Sequence, residues 1–178
     1  RDRPCTPPTV PVVTLNPITV CEGDSSLMTI AGTLNNATRW VVYTDSCGGT
    51  LVDSTSGNSL MVPISAGSTT FYVRGEGSCV TPGTCGQTIG IGLPIDDPTF
   101  SYPDTIFCDN QGPITPTTVT SGTFSSSPAG LSLAPSTGVL NPSASSANTY
   151  MIYFTTNGTC PASDSLQVTI QSLSLIHI

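Results

Sequence analysis

No window of this chain carries apolar residues at a sustained 3.6-residue period, and glycine or proline interrupts nearly every stretch that could otherwise coil. Short segments of β-branched and aromatic residues recur instead. In the first half they predict strands at 10–15, 26–31, 38–43, 59–62, 70–74 and 87–93. In the second half they predict strands at 99–101, 122–125, 131–133, 139–140, 150–155 and 165–171. Within Trp40-Val41-Val42-Tyr43, the two-residue strand period puts Trp40 and Val42 on one face and Val41 and Tyr43 on the other. Trp40 then serves as the centre of a sandwich core. The fold class is all-β: two tandem antiparallel sandwiches. The segment Leu93-Pro94-Ile95-Asp96-Asp97-Pro98 reads as a short, stiff junction, giving domains at 4–94 and 95–171.

Charge narrows the function. Only 8% of residues are charged, against roughly 25% in an ordinary globular protein, and Ser, Thr, Gly and Pro fill the gap. The formal charge is −7, with four basic residues, Arg1, Arg3, Arg39 and Arg74. Nothing here neutralises a phosphate backbone or an anionic membrane, so neither nucleic acid nor membrane is an expected partner. No apolar run reaches the ~20 residues that span a bilayer. The opening Arg-Asp-Arg (1–3) and the close at 172–178 resemble translated adapter sequence on a metagenomic fragment, and read as non-native tails. Setting them aside removes His177, the one histidine, and with it any imidazole base.

Seven cysteines in a hydroxyl-rich chain indicate an oxidising compartment. Cys108 opens the second module and Cys160 lies near its end, which predicts a bridge between them. In the first module, Cys21 with Cys85 would staple the ends of the sandwich, leaving Cys47 with Cys79. The competing arrangement exchanges Cys79 and Cys85. Cys5 is then left over, unpaired or bonded to another chain. The spacing offers no CxxC and no histidine partner, so no metal and no cofactor are expected.

The residues also carry a resemblance. Cys47-Gly48-Gly49-Thr50, followed by the stretch from Thr70-Phe71-Tyr72-Val73-Arg74-Gly75-Glu76-Gly77 through Cys79 to Cys85, resembles an Ig-like repeat of large cell-surface and adhesin proteins of Bacteroidetes-type bacteria. Phe107-Cys108, Ser121-Gly122-Thr123-Phe124, Ser136-Thr137-Gly138 and Thr159-Cys160-Pro161 resemble a second such repeat. The resemblance implies Ig-like sandwiches in an extracellular or cell-surface array, with structural or adhesive work and no catalysis. Its implied partners are neighbouring Ig-like repeats of the same chain or fibre, then surface glycans or other proteins. The alternative is a carbohydrate-binding or other ligand-binding module appended to a secreted enzyme.

Few other residues offer chemistry. Glu76, beside Arg74, is the best lone acid, but it reads as shaping a strand end. Asp96 and Asp97, with Glu22 and Asp24, could ligate calcium, yet they lack the spaced oxygen set of a dedicated loop. Tyr43, Tyr72 and Tyr102 could stack on a sugar ring, although core packing is their commoner use. Asn36 and Asn157 open N-glycosylation sequons. Ser54, Thr105 and Ser165 each follow an aspartate, in triplets resembling the O-glycosylation motif of Bacteroidetes-type bacteria.

Overall fold

A computed structural model describes residues 4–80 and 83–173. The tails at 1–3 and 174–178, and His177 with them, lie outside the described residues. The chain divides into two compact units between Pro94 and Ile95.

Unit 1 is a sandwich of two sheets. β1 (Val12–Asn16), β3 (Ser25–Ala31) and β6 (Ser59–Pro63) form a three-stranded antiparallel sheet in the order β1-β3-β6. Opposite lies a five-stranded sheet. It is built from β2 (Thr19–Cys21), β4 (Arg39–Thr44), β5 (Thr50–Thr55), β7 (Gly67–Glu76) and β8 (Gly86–Leu93), in the order β2-β8-β7-β4-β5. The two-residue alternation decides what goes inside. Val13, Leu15, Met28, Ile30 and Val62 point in from one sheet, and Trp40, Val42, Phe71 and Val73 from the other. Trp40 is 1% exposed, at the centre, as its strand position predicts. Ser26 takes an inward position at the end of β3, where its hydroxyl donates to the Pro17 carbonyl at 2.7 Å. That bond removes the cost of burying a polar group.

β8 inverts the usual pattern. Its inward positions are Gly86, Thr88, Gly90 and Gly92, and its outward ones are Gln87, Ile89 and Ile91. The glycines are required by close approach. A Cβ at Gly86 would strike the Pro11 carbonyl, and one at Gly92 the Ser65 carbonyl. Backbone occupies the space where core side chains would otherwise sit.

Unit 2 pairs β9 (Phe100–Ser101) with β11 (Thr117–Thr118). Its main sheet holds β10 (Ile106–Cys108), β12 (Gly122–Ser127), β13 (Asn148–Thr156) and β14 (Ser163–Gln171), in the order β10-β14-β13-β12. The core is aromatic: Phe100, Tyr102, Phe107, Phe124, Tyr150 and Phe154 pack around Leu140, Ile152, Val168 and Ile170. The Phe124 and Phe154 rings lie 4.5 Å apart, with Phe100 edge-on to Phe124 at 5.6 Å. The buried phenols of Tyr102 and Tyr150 donate to the carbonyls of Gly138 and Ser146. The predicted strands at 131–133 and 139–140 reduce to single bridges, Leu133 to Leu140 and Ile114 to Leu140.

The cysteine pairing departs from the sequence expectation, for a reason written in the register. Disulfides join Cys5 to Cys79 and Cys47 to Cys85, with Cα separations of 5.9 and 5.8 Å. The expected Cys21–Cys85 bridge fails because β2 runs parallel to β8. Cys21 therefore sits opposite Leu93, while Cys85 precedes the other end of that strand, roughly 26 Å away at strand rise. The expected Cys47–Cys79 bridge fails because Gly86 lies opposite Val73, which sets Cys85 beside Arg74 and the Cys47 loop, whereas Cys79 lies beyond the end of β7. Half of the competing arrangement, Cys47–Cys85, is what forms.

Cys5 is not left over. The N-terminal segment is tied to the loop after β3 by Thr6 N–H to Asn36 Oδ1 at 2.7 Å, Asn36 N–H to Thr6 O at 3.2 Å and Asn35 Nδ2 to Pro7 O at 2.6 Å. This carries Cys5 to the end of β7, where Cys79 waits. The expected Cys108–Cys160 bridge fails for the same reason as Cys21–Cys85. β10 is parallel to β14, so Cys108 faces Gln171 while Cys160 precedes the opposite end of the strand. Cys108 is a free thiol, and neither Cys21 nor Cys160 is without a partner.

Candidate functional site

The densest polar cluster among the described residues stands on the outer face of unit 1. Successive outward positions of β7 carry Arg74 and Glu76, and β4 places Tyr43 beside them. Glu76 Oε1 accepts from Arg74 Nε at 2.6 Å and from the Tyr43 hydroxyl at 2.6 Å. The guanidinium lies 5.2 Å from the Tyr43 ring centroid, a cation–π distance. Its Nη1 reaches the Cys47 sulfur at 3.9 Å. Gly48 adopts φ 85°, and a Cβ there would press on the guanidinium.

The electrostatics are self-contained. Burial pushes the Tyr43 phenol up, and its hydrogen bond to Glu76 adds to that. Burial pushes the Glu76 carboxyl up too, but hydrogen bonds from Tyr43 and Arg74 outweigh it and hold the carboxyl below its ordinary value. Glu76 is thus an ionised acceptor whose Oε1 takes both donors. A general acid needs a proton to give, and a base needs a free lone pair aimed at substrate. This carboxylate is placed for cross-strand pairing.

The remaining candidates are dispersed. Asp96 accepts the Gly158 N–H at 2.9 Å. Asp97 accepts the Thr99 N–H at 2.9 Å, and Thr99 holds its carboxyl below the usual range. Glu22 and Asp24 flank the turn after β2, and no group of three metal-ligating side chains converges among the described residues. Of the three tyrosines weighed as sugar platforms, Tyr43 and Tyr102 are buried and Tyr72 stands half-buried on the outer face of β7.

All the glycosylation candidates are exposed: Asn36, Asn157, Ser54, Thr105 and Ser165. The three aspartate-led triplets share one local geometry. Asp53, Asp104 and Asp164 each accept the backbone N–H of the following Ser54, Thr105 or Ser165, at 2.7, 2.6 and 2.7 Å. Gly86-Gln87-Thr88-Ile89-Gly90-Ile91-Gly92 spells out the outward isoleucines of β8, since glycine on alternate positions marks the face that has no room.

Two-layer β-units with apolar interiors, mostly antiparallel sheets and a parallel edge strand define Ig-like β-sandwich modules. Residues 8–91 match the family model described as Ig-like domain, CHU_C associated. No curated protein sequence matches the chain. Among solved structures, the fibronectin(III)-like modules of Clostridium thermocellum CbhA align at 13% identity and TM-score 0.35, covering 94% of this chain and 98% of theirs. The insect immune protein hemolin aligns at 12% identity and TM-score 0.42, covering 93% of this chain and 47% of its own. Bacteroides ovatus SGBP-B, solved with a mixed-linkage heptasaccharide, aligns at 12% identity and TM-score 0.34, covering 90% and 47%. Scores this low leave function to the chain's own residues.

Proposed function

We propose that the chain provides non-catalytic, structural or adhesive extracellular modules of a bacterial surface protein, stalk or fibre. The observation that carries this reading is the crosslinked sandwich of unit 1, in which Cys5–Cys79 and Cys47–Cys85 enclose overlapping stretches of chain. Disulfides of this kind persist in oxidising compartments. The match over residues 8–91 and the charge-poor, hydroxyl-rich composition support the same reading. So does the pairing of Glu76, whose Oε1 is held by Arg74 and Tyr43. Neighbouring Ig-like repeats are the natural partners of such modules. The exposed Ser54, Thr105 and Ser165 are the positions at which O-linked sugar would cover them, and Asn36 and Asn157 the positions for N-linked sugar.

The work proposed is mechanical, so the test is mechanical. Under a pull on the two ends of the oxidised chain, the 74-residue separation closed by Cys5–Cys79 stays hidden. Reductant should lengthen the fully stretched chain by at least about 250 Å, at ~3.4 Å per extended residue. Equal stretched lengths with and without reductant would sink the crosslinked-module reading. So would native material in which Cys5 and Cys79 alkylate as free thiols.

A further inference from the structure

We propose that the outer face of β7 and β8 is a docking surface for a neutral oligosaccharide. This goes beyond the mechanical reading and does not depend on it. Two shallow grooves adjoin on this face. One, of about 300 Å³, is lined by Thr44, Asp45, Ser68, Thr69, Thr70 and Tyr72. The other, of about 560 Å³, is lined by Ile18, Gln87, Thr88, Ile89 and Ile91. The register joins them: Tyr72 lies opposite Gln87, Thr70 opposite Ile89 and Ser68 opposite Ile91. Together they form one surface with a hydroxyl half and an apolar half.

The apolar half is a product of backbone geometry. Glycine takes three of the four inward positions of β8, against main chain at Gly86 and Gly92 and against the Ile64 side chain at Gly90, so the isoleucines stand outside. Ile18, Ile89 and Ile91 are 55%, 50% and 39% exposed. A stable protein partner needs about 800 Å² per side. Three half-exposed isoleucines interleaved with hydroxyls fall well short of that. A sugar chain suits both halves, since each ring has C–H faces for apolar contact and a hydroxyl rim for hydrogen bonds. Tyr72 supplies an aromatic face and Asp45 a carboxylate acceptor, with Thr50 donating to its Oδ2 at 2.7 Å.

Charge selects among sugars. Neither groove is lined by a cation. Arg74, the next outward position after Tyr72, is bound to Glu76 and lies over Tyr43. Acidic glycans would meet Asp45 with nothing to neutralise them, so the ligand is uncharged.

The test is an NMR titration of the full oxidised chain with cellohexaose, maltohexaose and mannohexaose, and with hexagalacturonate as the acidic probe. At least one neutral hexasaccharide should bind with a Kd on the order of 1 mM, shifting β7 and β8 amides. Tyr72→Ala should weaken it about tenfold or more, while Tyr72→Phe, which keeps the ring, should retain it. Ile89→Ser, at an exposed side chain, should weaken it about threefold and covers the case in which Tyr72→Ala fails to fold. Tyr153→Ala, at the 44%-exposed tyrosine of unit 2, should change nothing. Binding by no neutral hexasaccharide overturns the proposal. So does equal binding of hexagalacturonate, or binding that survives Ile89→Ser and any folded Tyr72→Ala undiminished.

Discussion

Unit 1 builds its interior mainly from aliphatic residues around Trp40 and Phe71, and it carries two internal disulfides. Unit 2 packs six aromatic rings into a core of similar size, and its Cys108 is a free thiol. The difference has a physical basis. A buried aromatic removes about 150–250 Å² from water and gains from edge-to-face contact, so few residues yield much burial. Unit 1 spends several inward positions of β8 on glycine, which contributes no side chain to the core. Loop closure by disulfides offsets that loss, by about 4 kcal/mol for a loop of either size in the chain-entropy model. Unit 1 is therefore stabilised partly from the unfolded side by its two internal bridges, and unit 2 gains more from the rings packed in its folded core.

The contrast can be broken most sharply by reduction. Replacing Cys5 and Cys79 together with serine should cost unit 1 about 4 kcal/mol and leave unit 2 nearly unchanged. Hydrogen exchange on β4 and β13 would read the two units separately, and equal loss in both would refute the division of labour. The reciprocal change is Phe154→Ala, which opens a cavity at the centre of the ring cluster. It should cost unit 2 about 3–5 kcal/mol in denaturant melts, with β4 protection intact.

A smaller effect sharpens the electrostatics. Because the folded Glu76 carboxyl is held low, its stabilisation is complete above the unfolded carboxylate value of about 4.5 and is lost as pH falls through the lower folded value. Glu76→Gln should cost about 1–2 kcal/mol at neutral pH and flatten the acid limb of unit 1 stability. An unchanged acid limb would show that the cluster contributes nothing. The smallest effect belongs to the thiol. Cys108→Ser should shift stability by less than about 0.5 kcal/mol, and should abolish alkylation of the oxidised chain by a maleimide.

Long alternating strands were legible in the sequence. β14 announces itself through one apolar residue in two, and β4, β7 and β13 through dense runs of β-branched and aromatic residues, with Trp40 on the inward face that the two-residue period gives it. β2 and β10 were illegible, since three residues carry no period. β5 was missed because its apolar residues, Leu51 and Val52, are adjacent, one to each face, and set up no alternation. These omissions decided the cysteines. Without the parallel pairings β2–β8 and β10–β14, Cys21 is assigned to the Cys85 end of β8 and Cys108 to the Cys160 end of β14, the opposite of where the register puts them. Among the tyrosines, sequence could name Tyr43, Tyr72 and Tyr102 as candidates. Only the β4–β7 register and the Gly138 carbonyl decide which are enclosed.

The two parallel pairings also determine how a reduced chain would meet a load. In each unit a strand near the N-terminal end lies alongside the last strand and points the same way: Thr19–Cys21 against Ile91–Leu93, and Ile106–Cys108 against Thr169–Gln171. Tension applied at the ends of a unit drags such a pair in opposite directions along their shared axis. Its hydrogen bonds are then sheared together, whereas a hairpin pulled from its open end unzips one bond at a time. Three residue pairs at each edge thus act as a clasp, and the clasp is set by strand direction, with no side chain required.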